Sequence, residues 1–517
     1  MEISEFIKRG KGVLGIEFGS TRIKACLIGE ELTPVAVGTH SWENRLENGV
    51  WTYSHKDIIN GLQSCYRDLK NNVQERYGVT LTGFGGMGVS AMMHGYLAFD
   101  ENDELLVPFR TWRNTMTGQA AAELTELFGF NIPERWSIAH LYQAILNGEE
   151  HITKLAHLNT LAGYVHFLLT GRRVLGVGDA SGMFPIENGG YCRDMLEKFM
   201  GLEKVSSCGW QLEELLPDIA VAGQQCGILT EEGARLLDPT GDLQSGVPMC
   251  PPEGDAGTGM TATNAVRRGT GNVSAGTSIF SMIVLEKPLK GCYPQIDVVT
   301  TPEGADVAMV HCNNCCGELD AWVKLFYEFA KLTGKDTDIG QIYELLYKNA
   351  LTGEADCGSV TAYNFISGEP VVGVAEGAPA YRRTPDSKMT LANFIRAQLY
   401  GAMAALKAGN DILINKEGVR PRSITGHGGL FKVRGAAQQI LADALGCDVS
   451  VMSTAGEGGS WGMALLAAFM GSGQKDLAQW LESKVFTEME STTLSPDPGG
   501  MAGWESYMKN YLAGIEA

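Results

Sequence analysis

Val13-Leu-Gly-Ile-Glu-Phe-Gly-Ser-Thr-Arg-Ile-Lys-Ala-Cys-Leu-Ile28 reads as an apolar strand, a tight turn at Gly19-Ser20-Thr21, and a second apolar strand. Glu17 lies near the end of the first strand, and Arg22 and Lys24 follow the turn. Glycine lets the backbone approach a ligand closely, and the turn's hydroxyls and N–H groups suit phosphate oxygens. A carboxylate beside a phosphate calls for a cation between them, which makes Glu17 a candidate metal ligand. A solvated surface hairpin has the same local pattern. What singles this one out is a second copy, Val273-Ser-Ala-Gly-Thr-Ser-Ile-Phe-Ser-Met-Ile-Val-Leu285, with its turn at Gly276-Thr277-Ser278 and Ser274 in place of the acid. It begins about half a chain later, as an internal duplication would place it. Two phosphate-type hairpins, one carrying a metal acid, predict two facing lobes that grip one nucleotide.

The chain has 517 residues, too many for one core, so two large domains are expected. A formal net charge of -19 argues against a nucleic-acid or anionic-membrane partner, because counterion release needs a basic surface. Residues 1–10 carry no long apolar segment, and no run approaches the roughly 20 apolar residues of a membrane span. A cytoplasmic protein is expected, with its 12 cysteines as reduced thiols. Cys312-Asn-Asn-Cys-Cys316 is a cluster, but zinc needs a second ligand pair at suitable spacing, and none stands nearby.

Strand-like and helical patterns alternate through both halves, giving an α/β duplication. Ser54 is placed to cap a helix reaching Tyr77, with Ile58, Ile59, Leu62, Tyr66 and Leu69 at helical spacing. Gly83-Phe-Gly-Gly-Met-Gly88 fits G-x-G-x-x-G formally, but more strand follows it, so it opens no helix for a pyrophosphate. Asp179-Ala-Ser-Gly182 reads as a loop. Gly246 to Gly259, rich in Pro and Gly yet holding acids, reads as a rigid loop that positions a functional group. From Gly471 onward the chain reads as a peripheral tail.

Asp255 is the candidate base. Phosphoryl transfer to an alcohol needs an acceptor for the hydroxyl proton, and Gly254 and Gly257 leave room for a substrate. An Asp beside glycine also commonly makes a loop turn. His94 is a candidate hydroxyl ligand, and Trp112-Arg-Asn114 offers stacking and polar contacts to a sugar, although a Trp is as readily a half-buried anchor. Gly428-Gly429 and Gly456 to Gly459 would let an adenine lie against bare backbone. Their alternative role is helix capping. A P-loop is excluded because Thr277 stands where lysine is required.

In order and spacing these pieces resemble the FGGY family of carbohydrate kinases, within the actin-like, ribonuclease-H-like ATPase superfamily. The resemblance rests on Gly15 to Thr21, Met93-His-Gly95, Trp112-Arg-Asn114, Leu169-Thr-Gly171 with Asp179 to Gly182, Gly254-Asp-Ala256, Gly276-Thr-Ser278, Gly426 to Gly429 and the Gly456 to Ala464 turn and helix. It implies two duplicated domains with an interdomain cleft: residues 1–265 hold the sugar and the base, and 266–517 the nucleotide. It implies Asp255 as base, Glu17 on magnesium, and Ser20, Thr21 and Arg22 at the transferred phosphate. It also implies Gly276 and Thr277 on phosphates, Gly428 and Gly429 beside adenine, and Met93, His94, Trp112 and Arg113 at the sugar. The implied substrates are ATP and a ketose or polyol, with a homodimer as the candidate assembly. A non-catalytic sugar and nucleotide sensor is the alternative.

Three departures stand out. The family usually has aspartate where Glu17 stands. It often shows Trp-x-Asp-x-Arg where this chain has Trp112-Arg-Asn-Thr-Met116, and Lys-Leu-x-Trp where Ser137 to Ile145 begins a helix.

Overall fold

The computed structural model describes residues 1–334, 336–452, 458–487 and 489–515. The chain forms two compact units. One comprises Met1–Val266, Val298–Val307 and Glu457–Glu488; the other comprises Arg267–Asp297, Ala308–Gly456 and Met489–Ala517. The units are therefore not the contiguous halves that the sequence suggested.

The first unit is built on a mixed sheet. Val13–Phe18 lies at its centre, antiparallel to Arg22–Ile28 on one side and parallel to Gly86–Ala91 on the other. Pro34–Ser41 continues the antiparallel side, and Glu253–Gly254 pairs in parallel with the end of Gly86–Ala91. The helix His55–Tyr77 starts at Ser54 with a full capping box, Ser54 and Asp57 each satisfying the other's backbone N–H. The glycine-rich run at 83–88 leads into the strand Gly86–Ala91, as expected.

Two local expectations need correction. Val177–Ala180 is a short helix, so Asp179 does not lie in a loop. Asp255 is the first residue of the helix Asp255–Ala262, so the stretch read as a rigid loop ends in a helix. That helix has little local propensity, with two glycines and two threonines among its eight residues. Tertiary packing supplies what propensity lacks. The helix Gly458–Ser472 lies against it so closely that a Cβ on Gly462 would overlap the Thr258 backbone. The same helix packs on the central strand, where a Cβ on Gly15 would overlap the backbone of Ser460 and Ala464. Small residues let the backbones approach, and the gain is dispersion across many short contacts.

The second unit repeats the pattern. Thr270–Ala275 is antiparallel to Ile279–Val284 and parallel to Ser423–His427. Asp448–Met452 and Ser491–Leu494 extend its sheet. The segment beyond Gly471 is not a tail. Leu477, Trp480 and Leu481 are buried in the first unit, and Pro498–Ile515 is a helix whose Trp504, Tyr507 and Tyr511 enter the core of the second. Trp504 stacks on Tyr400 at 3.8 Å between ring centroids.

Candidate active site

In the first unit, Glu17 ends the central strand half-buried, opposite Lys24 in the antiparallel register and Ser90 in the parallel one. The Ser460 N–H, at the start of the helix Gly458–Ser472, donates to its Oε2 at 3.2 Å. A Cβ on Gly459 would run into Glu17 Oε1 and Thr258 Oγ1, so any larger residue there would have to displace them. Gly458 and Gly459 border Glu17, while Gly456 and Glu457 lie outside the described residues. Burial pushes the Glu17 carboxyl up to about 7; Lys24 opposes this, and the nearby Asp255 charge adds to it.

The turn that follows is held by aromatic donors. Trp42 Nε1 donates to the Gly19 carbonyl at 2.7 Å, and the Tyr53 hydroxyl to the Ser20 carbonyl at 2.5 Å. Trp112 Nε1 donates to Ser20 Oγ at 3.2 Å. An indole nitrogen can only donate, so Ser20 Oγ accepts here and keeps its own proton for another partner. Thr21 and Arg22 are exposed at the end of the hairpin.

Asp255 begins its helix with the carboxyl accepting from the Met93 N–H at 3.1 Å. It is exposed to solvent. Enough protein surrounds it that desolvation pushes its carboxyl up to about 6, against the lowering effect of the N–H groups of Met93, Ala256 and Asp255 itself. Met93 leads into a tight reversal: His94 takes a positive φ of 68° and Gly95 one of 91°. His94 Nδ1 meets the Gly182 carbonyl at 3.1 Å. A carbonyl only accepts, so Nδ1 carries the hydrogen in this bond.

The Trp112 segment packs against Trp51. Arg113 is exposed and lies over the Trp51 ring, 3.9 Å from its centroid. Asn114 is buried and pairs with the Trp51 backbone, accepting from its N–H at 2.9 Å and donating to its carbonyl at 2.8 Å. An aspartate cannot make both bonds, which accounts for the amide at this position.

Two buried acids, Glu253 and Asp179, were given no role in the sequence reading, although Asp179 opens the stretch 179–182 on which the family resemblance rests in part. Glu253 is 2% exposed, and its carboxyl accepts from the N–H groups of Gly178, Asp179 and Gly254. Burial, then the Asp179 charge, pushes it up to about 8. Asp179 is fully buried and accepts from Thr160 Oγ1 at 2.6 Å; burial pushes it up to about 7. The signal for Glu253 lay in its neighbours Pro252 and Gly254, but its socket is made by Gly176 and Gly178, far away in sequence.

In the second unit, Gly276, Thr277 and Gly429 line one cavity of about 820 Å³, a size that suits a small ligand. Tyr343, Tyr347 and Lys348 of the helix Ile339–Ala350 form part of its wall. Gly428 lines a neighbouring cavity of about 700 Å³. Its φ is 99°, and a Cβ there would overlap the Ala275 backbone just before the Gly276 turn. The two glycine turns are thus brought together.

Residues 12–259 match the N-terminal domain of the FGGY family of carbohydrate kinases, and residues 271–471 match its C-terminal domain. The chain belongs to the FGGY family. It is therefore a carbohydrate kinase, a phosphotransferase with an alcohol acceptor, and the family's sugar kinases use ATP. A xylulose kinase from Haemophilus influenzae is 23% identical over 445 residues, 83% of each chain. The structure of a xylulose kinase from Rhodospirillum rubrum matches over 98% of both chains with a TM-score of 0.79 at 18% identity. A gluconate kinase from Lactobacillus acidophilus matches over 98% of this chain and 97% of that one, with a TM-score of 0.77 at 18% identity. The fold is that of the two-domain, ribonuclease-H-like FGGY kinases. Among the described residues, no helix is long and apolar enough to cross a membrane.

Proposed function

We propose that this kinase transfers the γ-phosphoryl group of ATP to a hydroxyl of a ketose, with a five-carbon ketose of the xylulose type as the leading substrate. The observation that carries the reading is the Asp255 carboxyl. It is accessible, pinned by the Met93 N–H, and poised near 6 at the start of a buried helix. A general base works best with a pKa near the operating pH. The sugar oxygen attacks the γ-phosphorus, its proton passes to Asp255, and the bond to the β-phosphate bridging oxygen breaks with its electron pair leaving on ADP. His94 borders a second sugar hydroxyl, and Met93 packs beside it. Trp112 and Arg113 border the sugar.

Ser20, with its proton uncommitted to Trp112, donates to the transferred phosphate together with Thr21 and Arg22. Gly276 and Thr277 take the other phosphates, and Gly428 and Gly429 border the adenine. The first unit thus serves the sugar and the base, and the second the nucleotide.

Glu17 fits a magnesium ion. Its carboxylate is desolvated, it receives the Ser460 N–H, and Mg²⁺ favours one or two carboxylates together with water and phosphate oxygens. Bound there, the ion would neutralise phosphate charge. The need for ATP favours the cytoplasm as the place of work.

The test is turnover, read by coupled ADP detection, across ketopentoses, ketohexoses, polyols and aldonic acids. Highest kcat/KM on a ketopentose is expected. Highest kcat/KM on an aldonic acid would replace the ketose. Thermal stabilisation by sugars without turnover on any of them would replace the kinase reading with a sensor.

A further inference from the structure

The mechanism leaves one pair of nucleophiles unused. Cys315 and Cys316 open the helix Cys316–Leu332 with their sulfur atoms 3.6 Å apart. Cys316 is 8% exposed and lines the same cavity as Gly276 and Thr277; Cys315, 1% exposed, lies directly behind it. The backbone ties the pair to the phosphate-type turn. The Cys316 N–H donates to the Gly276 carbonyl and the Cys315 N–H to the Thr277 carbonyl, both at 3.0 Å. All twelve cysteines of the chain are free thiols, so the pair is held as a dithiol.

We propose that Cys315 and Cys316 form a chelating dithiol site for monosubstituted trivalent arsenicals on the wall of the second unit's cavity, and that filling it closes that cavity to nucleotide. The second clause rests on the nucleotide reading given above. The chemistry is a condensation without electron transfer. An arsenoxide, R–As=O, meets two S–H groups, two As–S bonds form, and the oxygen leaves as water with both thiol protons. The short sulfur separation allows one arsenic to bridge the two. A simple alkylating agent sees a different site. Donating its S–H to Cys316, and then burial, hold the Cys315 thiol well above the usual range, so its thiolate is scarce and its reaction with iodoacetamide is slow. Arsenic engages first at Cys316, which faces the cavity, and the second bond closes on the adjacent sulfur.

The experiment treats the full-length native protein with phenylarsine oxide and maps the adduct by mass spectrometry. The expected result is one phenylarsenic group bridging Cys315 and Cys316, retained in 2-mercaptoethanol and removed by 2,3-dimercaptopropanol. Cys315→Ala and Cys316→Ala are each expected to lose the bridge, with circular dichroism confirming that the variants are folded. Saturating ADP should slow labelling at least tenfold. Labelling elsewhere with none on this pair, or a bridge that survives either substitution, would overturn the proposal. A bridge that forms at the same rate with and without ADP, and leaves ADP affinity unchanged, would uphold the dithiol site and remove its link to the nucleotide.

Discussion

The two hairpins share one design and are supported in opposite ways. In the first unit, the turn at Gly19 and Ser20 is held by side chains: Trp42, Tyr53 and Trp112 each donate to it. In the second, the carbonyls of Gly276 and Thr277 accept from backbone N–H groups at the start of a 17-residue helix. A backbone support survives most substitutions, whereas a side-chain support is lost with one residue. The acids divide in the same way. Glu17 stands in the first hairpin with Asp255 close by, while Ser274 occupies the equivalent place in the second. On the proposed reading, the first copy carries the chemistry and the second grips the nucleotide.

Removing the acid of the first unit tests that division most severely. Asp255→Asn keeps the size and the acceptor for the Met93 N–H but cannot take a proton. We expect kcat to fall by about 10²–10⁴-fold, the usual contribution of general-base catalysis, with ADP affinity by calorimetry unchanged. The parent enzyme should show kcat/KM rising as pH increases through about 6, because the base works only when deprotonated and desolvation by the surrounding protein holds Asp255 near that value. Turnover near the parent rate in the Asn variant would move the base elsewhere.

The next contrast sets one glycine against another. A Cβ on Gly459 would run into the Glu17 carboxylate and crowd Thr258, whereas one on Gly276 would meet nothing within 4 Å. Gly459→Ala should therefore displace Glu17, and a displacement of about 1 Å costs on the order of 10²-fold in rate. Gly276→Ala should leave kcat near the parent value and raise the KM for ATP. Equal losses of kcat in the two variants would erase the distinction between the hairpins.

A smaller effect is expected at Trp112. Trp112→Phe keeps most of the ring and removes the donor to Ser20. One hydrogen bond is worth about 1 kcal/mol, so kcat should fall about fivefold with the sugar KM unchanged. A raised sugar KM at unchanged kcat would make Trp112 a sugar contact alone.

The hairpins were legible because their signals are local: alternation, a glycine turn, and an acid at a strand end. Asp255 was legible as a residue but not as a helix start. Its helix is Gly- and Thr-rich, and it forms because Gly458–Ser472 packs on it from two hundred residues away. Nothing local in the apolar run Met463 to Phe469 tells which unit it joins. The C-terminal helix is a different case. Trp504, Tyr507 and Tyr511 recur at helical spacing, and that stripe was available in the sequence. The Trp112 segment shows the limit of motif comparison. Asn114 stands where the family often has an acid because the Trp51 backbone needs both a donor and an acceptor.

The least of the expected effects concerns what lies under the first unit's chemistry. Glu253 is buried among N–H groups next to Asp179, and burial lifts its folded pKa to about 8, above its ordinary value of 4.5. Folding therefore favours the protonated acid. Stability from this site is full below about 4.5 and is lost as pH rises through about 8, with Asp179 titrating in the same range and coupled to it. Glu253→Gln mimics the protonated form, and its carbonyl oxygen can still accept the N–H groups. The Tm of the variant relative to the parent should rise between about pH 5 and pH 8.5 by a few degrees, since about 1 kcal/mol moves the Tm of a domain this size by roughly 2–4 °C. A difference that shrinks with pH would mean that the fold holds Glu253 as an anion, with the three N–H groups outweighing its burial.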